Sequence, residues 1–146
     1  MKKIFFEKLF LDLINNKKNR FHPLVWINGN PQIGKNVYIG GFSEVNAKRV
    51  KISIGDNCDI SSFVSINSMD SHKKTIGKSN KIIQKDIKIG KNVFIGSHSF
   101  IGGGSIIGDY SVIGAGSVVR GEKIPSYSLA FGNPLKIKKN YYRIKN

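Results

Sequence analysis

In the stretch INSMDSHKKT, residues 66–75, an aspartate and a histidine stand two positions apart, Asp70 and His72. They are among the few ionisable groups of the chain that are not lysine. An imidazole has an unperturbed pKa of about 6.5, so it takes up and releases a proton near neutral pH. The chemistry this pair suits is proton transfer. Asp70 has two readings. It orients the His72 ring or touches a substrate, or it is a turn aspartate bonded to its own backbone. A carboxylate at that position is costly unless it is paired or displaced toward solvent.

The elements that position the pair follow from a six-residue rhythm that stops there. Aliphatic residues, most followed by glycine, recur as Ile33, Ile39, Val45, then Ile54, Ile60, Ile66, then Ile89, Ile95, Ile101, Ile107, Ile113, Val119. The residue four later is usually small or β-branched, as in Val37, Ser43, Cys58, Val64, Val93, Ser99, Ser105, Ser111 and Ser117. Helical spacing is absent, and repeated glycine would cost a helix about 1 kcal/mol each. The period predicts a solenoid of short strands, with the aliphatic residue on the axis and glycine permitting the backbone conformation of each corner. Three segments make a triangular coil of about 18 residues. The tags IGKN, IGDN, IGKN and IGDY begin at 33, 54, 89 and 107, so the middle interval is 17 residues longer than one coil. That surplus is an excursion at about 72–88, and the Asp70–His72 stretch opens it.

The organisation expected is an all-β prism over 23–122, a short N-terminal amphipathic helix within 1–22, and a basic C-terminal tail over 123–146. The helix can pack on its own domain or a sister subunit, or rest on an anionic membrane surface. Charged residues interrupt any signal-peptide core, and no stretch approaches the roughly 18 apolar residues of a membrane span. Cys58 is the single cysteine, which excludes an internal disulfide; a buried apolar role and a cytoplasmic location are expected. Of the net charge of +15, the ends 1–20 and 120–146 carry +10. No nucleic-acid module is recognisable and no basic stripe is interleaved with aromatics through the repeat, so nucleic acid is not an expected partner. A phosphorylated small molecule explains the charge as well.

Three stretches together carry a family resemblance: INSMDSHKKT, then IGKNVFIGSHSFIGGGSIIGDYSVIGAGSVV at 89–119, then IPSYSLAFGNPLKIKK at 124–139. Over about residues 24–137 the chain resembles the hexapeptide-repeat acyltransferases, in particular the galactoside, maltose and polysaccharide acetyltransferase branch. The resemblance implies a left-handed parallel β-helix, against the usual right-handed crossover preference. It implies a homotrimer with active sites between subunits, acetyl-CoA as co-substrate, no metal, and direct transfer to a sugar or nucleotide-sugar acceptor in bacterial surface-glycan biosynthesis. His72 matches the family's general base, with Asp70 beside it. Ser97 and Ala115, with Gly114, match positions along the pantetheine arm. Arg120 and Lys136, the basic residue of the G-x-P-x-K tail, are placed for the coenzyme phosphates. Glu44, Asn46 and Asn67 are candidates for the acceptor cleft. Phe94 stands where many relatives have tryptophan; it keeps a flat apolar face but loses the indole donor, so the acceptor pocket is expected to differ. Gly102, Gly103 and Gly104 suit a tight corner better than a phosphate cradle, and His98 points outward by register.

Two other classes share the expected prism. A zinc hydrolyase of the gamma carbonic-anhydrase type needs three ligands, and the chain has only His22, His72 and His98, with no close ligand spacing. An ice-binding or scaffold solenoid would show arrays of outward threonine, and Thr75 is the only threonine.

Overall fold

The computed structural model describes residues 2–15, 21 and 24–144. The repeat forms a three-sided parallel solenoid. Face I stacks Trp26–Gly29, Glu44–Ala47, Ser65–Asn67, Phe100–Gly102 and Val118–Val119; face II stacks Gln32–Ile33, Ile52–Ile54, Ile87–Ile89, Ile106–Ile107 and Lys123–Ile124. Face III stacks Tyr38–Ile39, Asp59–Ile60, Phe94–Ile95, Val112–Ile113 and Leu129–Phe131, and Lys136–Lys138 turns back antiparallel on the last of these. The strands therefore continue past residue 122, because Ile124 and Ala130 keep the inward rhythm, at 2% and 0% exposure.

The predicted axis residues are the core. Ile60, Ile66, Ile95, Ile101, Ile113 and Val119 are fully buried, and register places Ile60, Ile95 and Ile113 directly over one another. Each such side chain contributes roughly 1.5–3 kcal/mol by leaving water. The small position four residues later holds serines that cross-link coils. Ser99 Oγ donates to the Gly114 carbonyl at 3.0 Å and accepts the Ser117 N–H at 3.3 Å. Ser111 likewise donates to the Pro125 carbonyl and accepts the Ser128 N–H. Ser128 Oγ, in the last coil, is buried without a hydrogen-bond partner, since no further coil lies above it to supply an amide. Cys58 is buried, as expected; its thiol donates to the Gly90 carbonyl at 3.1 Å, and burial pushes its pKa up, away from thiolate chemistry.

The tag glycines serve another purpose than the one expected. The left-handed corner positions lie two residues further on, at Asn36, Asn57 and Asn92, with φ of 51°, 57° and 53°. The glycines are needed because the next coil passes too close: a Cβ on Gly40 would lie 2.5 Å from the Ser62 nitrogen, and one on Gly96 the same distance from that of Ala115. Parallel strands spaced at about 4.8 Å leave no room for it.

The helix spans Lys2–Asn15, and Ile4, Phe5 and Phe6 are 72%, 71% and 68% exposed, so these side chains do not pack on the solenoid. No helix among the described residues is long and apolar enough to cross a membrane.

Candidate active site

The excursion is an ordered arm. Met69–Asp70 pairs antiparallel with Ile83–Gln84, closing its neck, and the chain re-enters the prism at Ile87, which is 1% exposed. The arm thus opens at Met69, earlier than the repeat arithmetic suggests. Asn67 Oδ1 accepts the Met69 N–H at 3.0 Å and so pins the exit from face I. One turn of helix, His72–Thr75, follows the first strand, with Thr75 N–H bonded to the Ser71 carbonyl at 2.9 Å.

Asp70 bonds the backbone and meets the His72 ring at once. Its Oδ1 accepts the His72 backbone N–H at 3.0 Å and lies 2.5 Å from His72 Nδ1. The carboxyl is held below the usual aspartate range, first by that backbone N–H and second by the ring. An ionised Asp70 makes Nδ1 the protonated nitrogen of a neutral ring, which leaves the Nε2 lone pair free. A lowered folded-state pKa stabilises the fold above the ordinary value of about 3.9 and is lost as pH falls through the lowered one. The His72–Asp70 contact is therefore expected to survive acidification to about pH 4 and to break only below it; an Asp70 carboxyl-carbon NMR signal whose main titration step lies at or above that pH would contradict the pairing.

Asp70 lines a cleft of about 510 Å³ with Asn67, Ile83, Lys85, Phe100 and Arg120; His72, further along the arm, does not line it. Asn46 lies one strand from Asn67 in register, and Glu44 one strand from Ser65, whose hydroxyl donates to Glu44 Oε1 at 2.6 Å. Face I thus brings Glu44, Asn46 and Asn67 to the foot of the arm. Arg120, expected with the coenzyme phosphates, also sits at this edge.

The remaining candidates lie elsewhere in the chain. Ser97, Gly114 and Ala115 form the corner between faces III and I, where the Gly116 N–H donates to the Ser97 carbonyl at 2.8 Å. Ala115 and Gly116 are exposed, and a Cβ on Gly116 would meet nothing within 4 Å. Phe94 and Lys136 are on face III. Within one chain, then, Ser97 and Ala115 are a whole face away from His72. Gly103 and Gly104 act as a corner: Gly104 has φ +92°, and a Cβ on Gly103 would lie 2.7 Å from the Ser68 carbonyl oxygen. His98 tops a stack of rings on the corner between faces III and I, 4.8 Å from Phe63, which is 5.1 Å from Phe42. No group of three His, Cys, Asp or Glu able to hold a metal occurs among the described residues, and His22 lies outside them.

Lys85 and Phe100 are cleft residues that the sequence reading passed over. Phe100 was within reach: it precedes the inward Ile101, and register places it one strand from Ser65 on the outer surface of face I. Lys85 depends on how the arm folds back, which no repeat specifies.

A family model described as bacterial transferase hexapeptide (six repeats) matches residues 86–121, and one described as the hexapeptide repeat of succinyl-transferase matches 32–67. No curated protein matches the chain. Among solved structures it is similar to the polySia-specific acetyltransferase NeuO, at 31% identity over 84% of this chain and 64% of that one, with a TM-score of 0.67. It is similar to a mutant of AntD, an N-acyltransferase from Bacillus cereus in complex with dTDP and coenzyme A, at 25% identity over 80% and 66% of the two chains, TM-score 0.70. A maltose O-acetyltransferase from Clostridium difficile 630 is 26% identical over 99% of this chain and 88% of its own, TM-score 0.62. The chain spans just under two thirds, 64% and 66%, of the first two. With the matched repeats, the parallel prism they build and these likenesses together, the chain is a hexapeptide-repeat protein, similar in sequence and fold to acyltransferases built from the same repeat.

Proposed function

We propose that the protein is an acetyl-CoA-dependent sugar acetyltransferase of surface-glycan biosynthesis, acting directly on a sugar hydroxyl or on the amine of a nucleotide-linked amino sugar. The observation that carries this reading is the Asp70–His72 contact, which leaves the lone pair of a neutral ring on Nε2, while Asp70 itself lines a cleft with Asn67 and Phe100. Nε2 takes the proton of the acceptor as its oxygen or nitrogen attacks the thioester carbonyl. The new bond to the acyl carbon forms, the carbon–sulfur bond breaks, and the imidazolium returns the proton to the departing thiolate. Asp70 holds the ring and its tautomer.

The corner of Ser97, Gly114 and Ala115 fits an amide-bearing arm, because its small residues leave backbone groups open to approach. Lys136, exposed on face III, suits a coenzyme phosphate. Arg120 is too far round the prism to serve the same corner, so in this reading it serves a neighbour's. That separation supports a homotrimer whose active sites join the arm of one subunit to the Ser97 corner of the next. The exposed Tyr38 and Phe94 of face III and the ring stack beside it provide apolar surface for such contact.

Release of free thiol from acetyl-CoA, measured across a panel of sugars and nucleotide-amino-sugars, tests the activity; no release with any acceptor would sink it. Lys136→Ala is expected to raise the KM for acetyl-CoA roughly tenfold, the loss of one charge-assisted contact, and to leave that for dephospho-coenzyme nearly unchanged. Equal effects on both donors would remove the phosphate role.

A further inference from the structure

The charge of the prism is unevenly placed. Residues 21–119 carry eleven Lys and Arg against six acids, and six of the eleven but only one of the acids lie in 72–88. Within the arm as it folds, residues 69–86, five of these cations stand against Asp70 and Asp86, which is +3 of the net +5. Among the described residues the His72–Asp70 pair is the one close ionic contact, so no lysine or arginine side chain there is held in a salt bridge.

Two clefts meet at the neck of the arm. The one beside Asp70 includes Lys85 and Arg120. The other, of about 560 Å³, is lined by Lys48, Arg49, Lys51 and Asp86. Lys85 and Asp86 are consecutive, so the clefts adjoin along one edge of the prism. Asp86 already accepts the Lys51 backbone N–H at 2.9 Å. Arg49 follows the first of four successive face I strands and Arg120 the last. Three steps of roughly 4.8 Å separate them, about 14 Å in all.

We propose that the acceptor is a polyanionic glycan, a sugar chain with repeated carboxylate or phosphate groups, laid along this edge so that one of its residues meets His72. This rests on the acetyltransferase reading and narrows its acceptor. The two adjacent phosphates of a nucleotide-sugar would meet one cleft and leave the other's cations unused, whereas repeated charges fill both. Single-stranded nucleic acid needs aromatic platforms interleaved with its cations. The stacked rings, Phe42–Phe63–His98 and Tyr110–Tyr127, stand on the other two corners instead. Phe100 is the ring that lines the cleft beside Asp70, and a single ring suits the apolar side of a sugar.

The test is binding of fluorescently labelled oligogalacturonate by the full chain without acetyl-CoA, at about 50 and 200 mM salt. An eight-residue oligomer is expected to bind at least about tenfold more tightly than a two-residue one or than neutral maltooctaose, and to weaken steeply with salt. Arg49→Gln, remote from His72, should weaken the octamer roughly tenfold and leave the dimer unchanged. Equal affinity for octamer and dimer, an unaffected octamer in Arg49→Gln, or binding of dTDP or oligo-dT as tight as the octamer would overturn the proposal. His72→Gln should bind the octamer as the natural chain does. Binding with no acetyl transfer to any acceptor would therefore refute the acetyltransferase reading, and transfer with no octamer preference would refute the polyanion.

Discussion

His72→Gln is expected to lower turnover with acetyl-CoA by about 10²–10⁴-fold, the usual contribution of a positioned general base. Glutamine keeps a donor that can face Asp70 Oδ1 but offers no group that titrates near neutrality. The substitution should spare the fold, because both side chains are more than half exposed, at 55% and 56%, and neither supports the axial core. The KM for acetyl-CoA should stay within about twofold, since an interaction made only in the transition state alters turnover and not ground-state binding. Steady-state thiol release, with urea unfolding as control, checks both. Turnover near that of the natural chain would remove His72 from the chemistry and return Asp70 to a turn residue.

The prism was legible in the sequence because each axial position repeats the same constraint. A side chain at Ile95 has Ile60 below it and Ile113 above, so one rule writes itself into the chain many times. The glycines were correctly located but wrongly explained. From sequence alone, a glycine required by a left-handed φ looks the same as one required by a neighbouring backbone. Only the stacking distance at Gly40 or Gly96 separates the two.

The arm was legible as a surplus and not as a shape. Its neck rests on Met69–Asp70 meeting Ile83–Gln84, a pairing made once, so no recurrence announces it. The same holds for Lys85. Asp70 was visible because it breaks the small-residue rule. Whether it would bond its backbone or His72 depended on the φ and ψ of two residues, and it does both. Arg120 was expected with the coenzyme phosphates from its place at the end of the repeat, and within one chain it lines the Asp70 cleft.

Because His72 and Ala115 sit on different edges of one prism, two inactive variants should restore each other. His72→Gln removes the base and keeps an open Ser97–Ala115 corner. Ala115→Trp keeps the base and fills that corner; Ala115 is exposed on the corner, so the ring can stand in solvent without disturbing the core. Each variant alone is expected to be nearly inactive. Unfolded and refolded together in equal amounts, they form mixed trimers, three quarters of all trimers by random assortment. In a cyclic trimer each mixed assembly contains one interface that joins an intact His72 to an intact Ala115 corner. Activity should therefore recover to about a quarter of that of the natural protein. Recovery requires both a cyclic assembly and a site shared between subunits. A site complete within one subunit would leave the mixture no more active than the sum of its parts, and a chain that sediments as a monomer would do the same. A dimer with two shared sites gives the same recovery at equal mixing, so the assembly is sized by sedimentation equilibrium before the rates are read.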